Sequence, residues 1–462
     1  MGPQMLIDQV STAGVPAPVW FVQFFKALGF TLHAVPMNLW YAGLLVALLL
    51  HVVGNEHARR FAARLLGQMP VIVAVGVNLG IVPLLFVQLA YYKVFYPATI
   101  LMAWFWLAII GLLIPAYYGV YAYAWGIRGG DGMARWRTAA GWISALFFLC
   151  IGFLFANGLS LMEHVARWPE LWTAHSTSGA ALGTALNVGD PTLWPRWLLM
   201  FGLALGTTAA WAVFDAEWLQ GLWHSRPRLG AEKGTGPICA QHPEGRSGKL
   251  DLSPFPPPDT AEGGCATETA NDSYRRWTWG FARKLYTVSL LWAAAAGAWY
   301  VFGTWPAELR QTMLQWPLWP LTLVTAAATG LPWLLLMIAG RGGKGDRSNL
   351  CDDQRCASVS ASGPFRQIGP VPFSAVAFHR TTAAAIALCQ FGVLGVNAVS
   401  RQVVQNINLK PSFDVLAQPT DVQWGPLWMF LIVFVIGLGV VAWMLAQVKK
   451  CKSSSPLPPG EG

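Results

Sequence analysis

The side chains that could do chemistry here are few, and they stand inside apolar runs. His33 sits in Leu-His-Ala-Val-Pro (32–36). A neutral imidazole in a membrane is the usual axial ligand of b-type haem iron. It is also, on residue type alone, an interfacial group bonded to a neighbouring carbonyl. His51 follows 18 residues later. That is five helical turns, which puts it near the same stripe at the opposite end. It reads either as the second member of a ligand pair or as an inner-interface imidazole, and His57 falls in a loop. Asn78 lies between Gly76 and Gly80, where the missing side chains let a helix or a flat cofactor approach closely. Pro83, which kinks a helix, and Gln88 follow. A later segment carries His379 and Arg380 at one end and Gln390, Asn397, Arg401 and Gln402 towards the other. An arginine there pairs with haem propionates or snorkels to headgroups. Asp215 and Glu217 suggest a proton route if buried together, and a cytoplasmic surface if not. Intramembrane polar residues are functional candidates by default. The cofactor-binding candidates are therefore His33, Asn78, Arg401 and Gln402, with His33 the metal ligand.

What must position these residues follows from composition. Of 462 residues, 55% are hydrophobic and 11% charged, against roughly 25% charged in a soluble domain. A charge at the centre of a bilayer helix costs about 2.5–3.5 kcal/mol on insertion scales. The 25 Trp suit the membrane–water boundary. Nine segments reach the roughly 20 residues a spanning helix needs: 31–53, 70–92, 98–126, 138–158, 197–222, 285–304, 318–340, 374–400 and 427–448. Helices are expected because backbone polar groups must be satisfied within the lipid. The fold class is an all-α polytopic bundle.

Charge sets the orientation. The loops after helices one, three, five and seven, with the C-terminal tail, hold 23 of the 31 Lys and Arg. The opposite face holds seven, namely Lys26, Lys93, Arg167, Arg196, Arg310, Arg401 and Lys410, and Arg380 sits just inside helix eight. The basic side belongs in the cytoplasm. That puts the N-terminus outside and the C-terminus inside, as in a multi-pass protein of a bacterial inner membrane. The net charge of +9 is accounted for by these short loops, so nucleic acid is not an expected partner, whereas the lipid bilayer is. The first 30 residues lack a basic n-region with an apolar core and cleavage site, so no cleavable signal peptide is expected.

Polar stretches divide the chain into a five-helix core (1–224), an insertion (225–275), helices six to nine (276–450) with a flexible loop at 341–372, and a tail (451–462). The insertion, loop and tail are rich in Gly, Ser and Pro or Asp and read as disordered. The loop 159–196 differs. Its Trp168, Trp172 and Trp194, with Glu163, His164 and Glu170, suit a folded cap or an interfacial segment. The seven Cys form no metal pattern, and the absence of Cys-x-x-Cys-His excludes covalent c-type haem. Nucleotide-binding and metalloprotease motifs are missing, as are the inverted repeats of transporters.

In order and placement, several stretches resemble subunit I of the cytochrome bd quinol oxidases. His33 followed by Pro36 is similar to the haem-ligating His and nearby Pro of that family's first helix, although the family's Pro stands two residues further on. Gly76-Val-Asn-Leu-Gly80 resembles its helix-two Gly-Val-x-Thr-Gly, and Leu101-Met-Ala103 followed by aromatics resembles helix three. Ala156-Asn-Gly158 resembles the end of helix four, and Arg401-Gln402 the Gly-Arg-Gln-Pro-Trp of helix eight. The likeness spreads over about 30–405. The departures are equally specific. The family's helix-two Glu falls on Leu84, and its two helix-three carboxylates fall near Thr99 and Leu107. Its low-spin haem His falls on Leu199 or Met200, and its helix-eight Glu near Asn397 or Ala398. The quinol-site loop is cut to 305–317.

The resemblance implies a divergent membrane subunit of a respiratory electron-transfer complex. Such a subunit holds one haem b through His33, with Arg401 at the propionates and Asn78 lining the pocket. Electrons pass between quinol or a cytochrome partner and an acceptor. Without the family's acids and remaining ligands the chain is not expected to reduce oxygen alone. It is expected to be part of an oxidoreductase complex with other redox subunits. The alternatives are a non-catalytic scaffold for redox partners and a small-molecule transporter.

Overall fold

A computed structural model describes residues 14–128, 133–219, 261–341 and 373–450. The chain is an all-α polytopic bundle. The membrane helices are α1 (Val19–Val53), α2 (Glu56–Ala90), α3 (Ala103–Arg128), α4 (Arg135–Glu163), α5 (Leu193–Leu219), α6 (spanning over Asn271–Thr304), α7 (Trp319–Ala339), α8 (Phe373–Leu409) and α9 (Trp424–Lys450). Among the described residues the first eight are long and apolar enough to cross a bilayer, and α9 has a shorter apolar stretch, Trp424–Gly437.

Local sequence explains where α1 and α2 begin and end. α1 follows Pro18 and runs through Pro36 into a π turn at Leu39–Gly43. Proline removes a backbone donor, and a shift in hydrogen-bond register just beyond it restores the ladder. α1 stops at the extended Gly54. Asn55 then caps α2, its Oδ1 accepting the Ala58 N–H at 3.0 Å, the usual role of asparagine at a helix start.

The first helix is longer than its apolar run. The sequence predicts a start at 31, but α1 begins at Val19. Gln23 and Lys26, which interrupt the run, are each only 7% exposed. Lys26 has internal partners, Tyr91 and Gln405, that let the helix continue through it. His33 consequently lies about four turns inside α1 rather than at its mouth. The other expected spans lie within longer helices apart from small end differences, except 98–126, which is broken at Met102 between a short helix (Tyr92–Leu101) and α3. The start of α6 differs similarly. The helix begins at Ala261, inside the stretch 225–275 expected as disordered. Its remainder over 225–260, the expected loop 342–372 and the tail 451–462 lie outside the described residues.

α1 packs against α2 and α8, α3 against α4, and α5 against α6. The central core joins α1, α2, α3, α4 and α5 through Trp40, Leu48, Phe61, Leu65 and Phe148. A second core closes one end of the bundle with Phe21, Phe25, Phe86, Tyr91, Trp168 and Phe413. Outward positions such as Ile110, Leu146, Leu291 and Leu388 are more than half exposed. An apolar belt of this kind belongs against lipid.

The segment between α4 and α5 folds as a cap over the second core. It holds a short helix (Trp168–Ala174) and a hairpin, β1 (Ser176–Thr177) with β2 (Ala180–Ala181), turned by Ser178 and Gly179 at φ 51° and 80°. Trp168 is 2% exposed and donates to the Leu161 carbonyl at 2.8 Å. We refer to this as the cap end and to the opposite one as the arginine-rich end.

Candidate functional site around His33 and the cap-end charges

His33 is held by α2. Its Nδ1 lies 2.8 Å from the Gly76 carbonyl oxygen. A carbonyl only accepts, so Nδ1 carries the proton and the neutral ring keeps its lone pair on Nε2. Nε2 has no hydrogen-bonding partner among the described residues. The ring rests on Gly80, where an added Cβ would come within 2.8 Å of Cε1 and 2.9 Å of Nδ1. One turn away, a Cβ at Gly76 would strike the Trp40 ring at 2.1 Å. The two glycines are thus used by this chain's own rings: Gly80 seats His33 and Gly76 seats Trp40.

Asn78 does not join this arrangement. It is exposed, and its Nδ2 donates to the Ala74 carbonyl of its own helix at 2.8 Å. Two residues from Gly76 is about 200° around the helix, so the face that seats His33 cannot also present Asn78. The expected pocket-lining role is corrected accordingly.

Arg401 reaches α1 one turn from His33. Its guanidinium stacks 4.5 Å from the centre of the Phe30 ring, and Nη1 lies 3.8 Å from Met200 Sδ. Among the described residues no carboxylate lies within ion-pair distance of it. Gln402 is half-buried beside it, with Oε1 sealed and without a partner.

Sequence reasoning missed Lys26, which it counted as an outer-face cation. It lies on the same stripe of α1 as Phe30 and His33, at helical spacings of four and seven. Its Nζ donates to the Tyr91 hydroxyl at 2.6 Å and to Gln405 Oε1 at 3.3 Å, and sits 4.0 Å over the Tyr91 ring. Tyr91 donates onward to Asn406 Oδ1 at 2.6 Å. Burial pushes its phenol above the ordinary range, so it remains a neutral donor.

The cap holds a paired counterpart. Arg196 of α5 bonds Glu163 and lies 3.3 Å from Asp190. Asp190 also accepts from Ser160 and from the Thr192 N–H at 2.8 Å, and lies 3.3 Å from His164 Nδ1. Asn157, in the Ala156-Asn-Gly158 stretch, accepts the Asn187 N–H at 3.0 Å and so ties cap to bundle.

A polar relay crosses the bundle below. Thr207 Oγ1 accepts Asn38 Nδ2 at 2.9 Å and Gln390 Nε2 at 3.1 Å, and Gln390 Oε1 accepts the Tyr286 hydroxyl at 2.7 Å. At the arginine-rich end Asp215 and Glu217 are buried but separately engaged. Asp215 takes two bonds from Arg64, at 2.7 and 3.0 Å, and one from Gln68 at 2.7 Å. Glu217 accepts Trp279 Nε1 at 3.0 Å. His51 meets the Tyr123 hydroxyl at 2.6 Å, which occupies one of its nitrogens at the far end of α1. Of the positions singled out in the sequence, Leu107 is 57% exposed, Thr99 bonds the Tyr96 carbonyl, and Asn397 bonds its own helix.

No group of three or more His, Cys, Asp or Glu suited to a metal ion occurs among the described residues. Comparison with known protein families gives no matching family model, and no curated protein matches the chain.

Proposed function

We propose that this multi-pass membrane protein is the bd-oxidase-like subunit of a respiratory electron-transfer complex and holds one haem b on His33. One observation carries the reading: Nδ1 of His33 is committed to the Gly76 carbonyl, leaving Nε2 as the ring's single lone pair. A bond from a ligating histidine's other ring nitrogen to a backbone carbonyl fixes tautomer and ring orientation in haem and metal sites. Among the described residues, His33 would hold the group through its free ring nitrogen. When bound, the group supplies one-electron transfer. The chain's own residues seat the imidazole on Gly80, fix its Nδ1–H on the Gly76 carbonyl, and hold the Arg401 guanidinium one turn towards the cap, where no carboxylate among the described residues lies within ion-pair distance.

The partners in this reading are other redox subunits, quinol or a cytochrome, in a bacterial inner membrane with the cap outside. The charge count over the loops supports that orientation. The replacement of the family's acids and ligands by Leu84, Thr99, Leu107 and Leu199 or Met200 supports a role other than oxygen reduction by this chain alone.

The second reading is a non-catalytic scaffold for the same partners. Trp40 favours it, because its ring fills the surface at Gly76 that a flat cofactor would otherwise use. A reduced-minus-oxidised visible spectrum of the purified chain separates the two. Haem bands support the first, and a protein without bands that still co-purifies with cytochromes supports the second.

A further inference from the structure

Among the described residues, buried charge at the cap end does not balance. Arg401 is an electrostatic neighbour of both Lys26 and Arg196, and all three are neighbours of Glu163. With Asp190 the group holds three cations and two carboxylates, and both carboxylates are engaged by Arg196. Lys26 is 7% exposed, and among the described residues its hydrogen-bonding partners are the Tyr91 hydroxyl and the Gln405 amide oxygen. Arg401 has an aromatic face and a thioether. Burying a charge without a counter-charge is costly.

An independent observation marks the same place. Gln405 is 4% exposed, and its Nε2 donor has no partner although its Oε1 accepts from Lys26. Gln23, one turn before Lys26 and 7% exposed, has both amide atoms buried beside the Tyr91 hydroxyl without a well-formed hydrogen bond. Orphaned polar atoms beside an uncompensated cation are what a missing hydrogen-bonding anion would leave.

We infer that the nest of Lys26, Gln405, Gln23 and Arg401 binds the acidic group, carboxylate or phosphate, of a ligand at the cap end. The two cations supply the charge, and the Gln405 and Gln23 amides donate to the acid's remaining oxygens. This inference does not need a haem at His33, although a propionate is one source of such a group.

The test is thermal unfolding of the full chain in neutral detergent at fixed ionic strength. Three probe sets distinguish the sources: inorganic phosphate against chloride, phosphatidylglycerol against phosphatidylcholine, and haem diacid against its dimethyl ester. At least one acidic probe should raise Tm by about 2 °C or more over its control. The shift should vanish in Lys26→Met, weaken in Gln405→Leu and persist in Lys26→Arg. If no acidic probe exceeds its control, or if Lys26→Met shifts as the wild type does, the inference fails. If Lys26→Met does not fold, Gln405→Leu decides, and an unweakened shift there overturns the site. His33→Ala separates the two readings: a phosphate or phosphatidylglycerol shift that survives in it stands whether or not the wild type holds haem.

Discussion

The imidazole Nδ1 of His33 lies 2.8 Å from the carbonyl oxygen of Gly76, across the α1–α2 interface. The bond aligns α1 with α2 and leaves a single nitrogen lone pair on the ring. Gly76 and Gly80, one turn apart, make the approach possible by carrying no side chain where Trp40 and His33 must sit.

Gly80→Val should displace the His33 ring, because even the first added carbon falls 2.8 Å from Cε1. The expected outcome is loss or shift of haem bands with helical circular dichroism retained. Gly76→Ala should instead act through Trp40 and destabilise by about 1–3 kcal/mol, the usual range for overpacking. A Gly80→Val protein with unchanged bands would separate His33 from the haem.

Arg196→Met removes the cation that Glu163 and Asp190 share, leaving two buried carboxylates. Breaking a buried pair from one side costs about 3–5 kcal/mol. Thermal melts of the purified protein should show Arg196→Met as one of the most destabilising single changes at the cap end. A melt indistinguishable from the wild type would mean that the pair contributes nothing.

Thr207→Val strips the shared acceptor from Asn38 and Gln390. Interhelical bonds in membranes average about 0.6 kcal/mol each, and a sealed, unsatisfied donor costs about 1–3 kcal/mol. A loss of about 1–2 kcal/mol is therefore expected, read from unfolding in mixed micelles. The double variant with Gln390→Leu should be less than additive, because both changes remove the same bond.

Hydropathy and loop charge made the eight spanning helices among the described residues legible, since lipid imposes length and apolarity on every span, whereas the ninth expected span holds only a shorter apolar stretch, Trp424–Gly437. The same reading began α1 at 31 because Gln23 and Lys26 look like loop residues by type. Nothing local distinguishes a lysine in water from one folded against Tyr91 and Gln405, because the partners are 65 and 379 positions away. Arg196 was hidden for the same reason. Asn78 could have been placed from the sequence, since helical periodicity alone sets it across the helix from Gly76. Asp215 and Glu217 lay open between buried and surface positions. Arg64 and Trp279, which engage them, come from α2 and α6.

Orientation has its own check. Green fluorescent protein fused after Lys450 should fluoresce, and alkaline phosphatase inserted between Ser178 and Gly179, at the exposed hairpin turn, should be active. The reverse pattern would place the arginine-rich end outside, against the charge distribution.

The haem content of the purified chain tests the central claim most directly. Pyridine haemochrome assays on wild type and on folded His33→Ala, run in parallel, should give one haem b per chain in the first and none in the second. Wild type without haem, or His33→Ala with the wild-type amount, would contradict it.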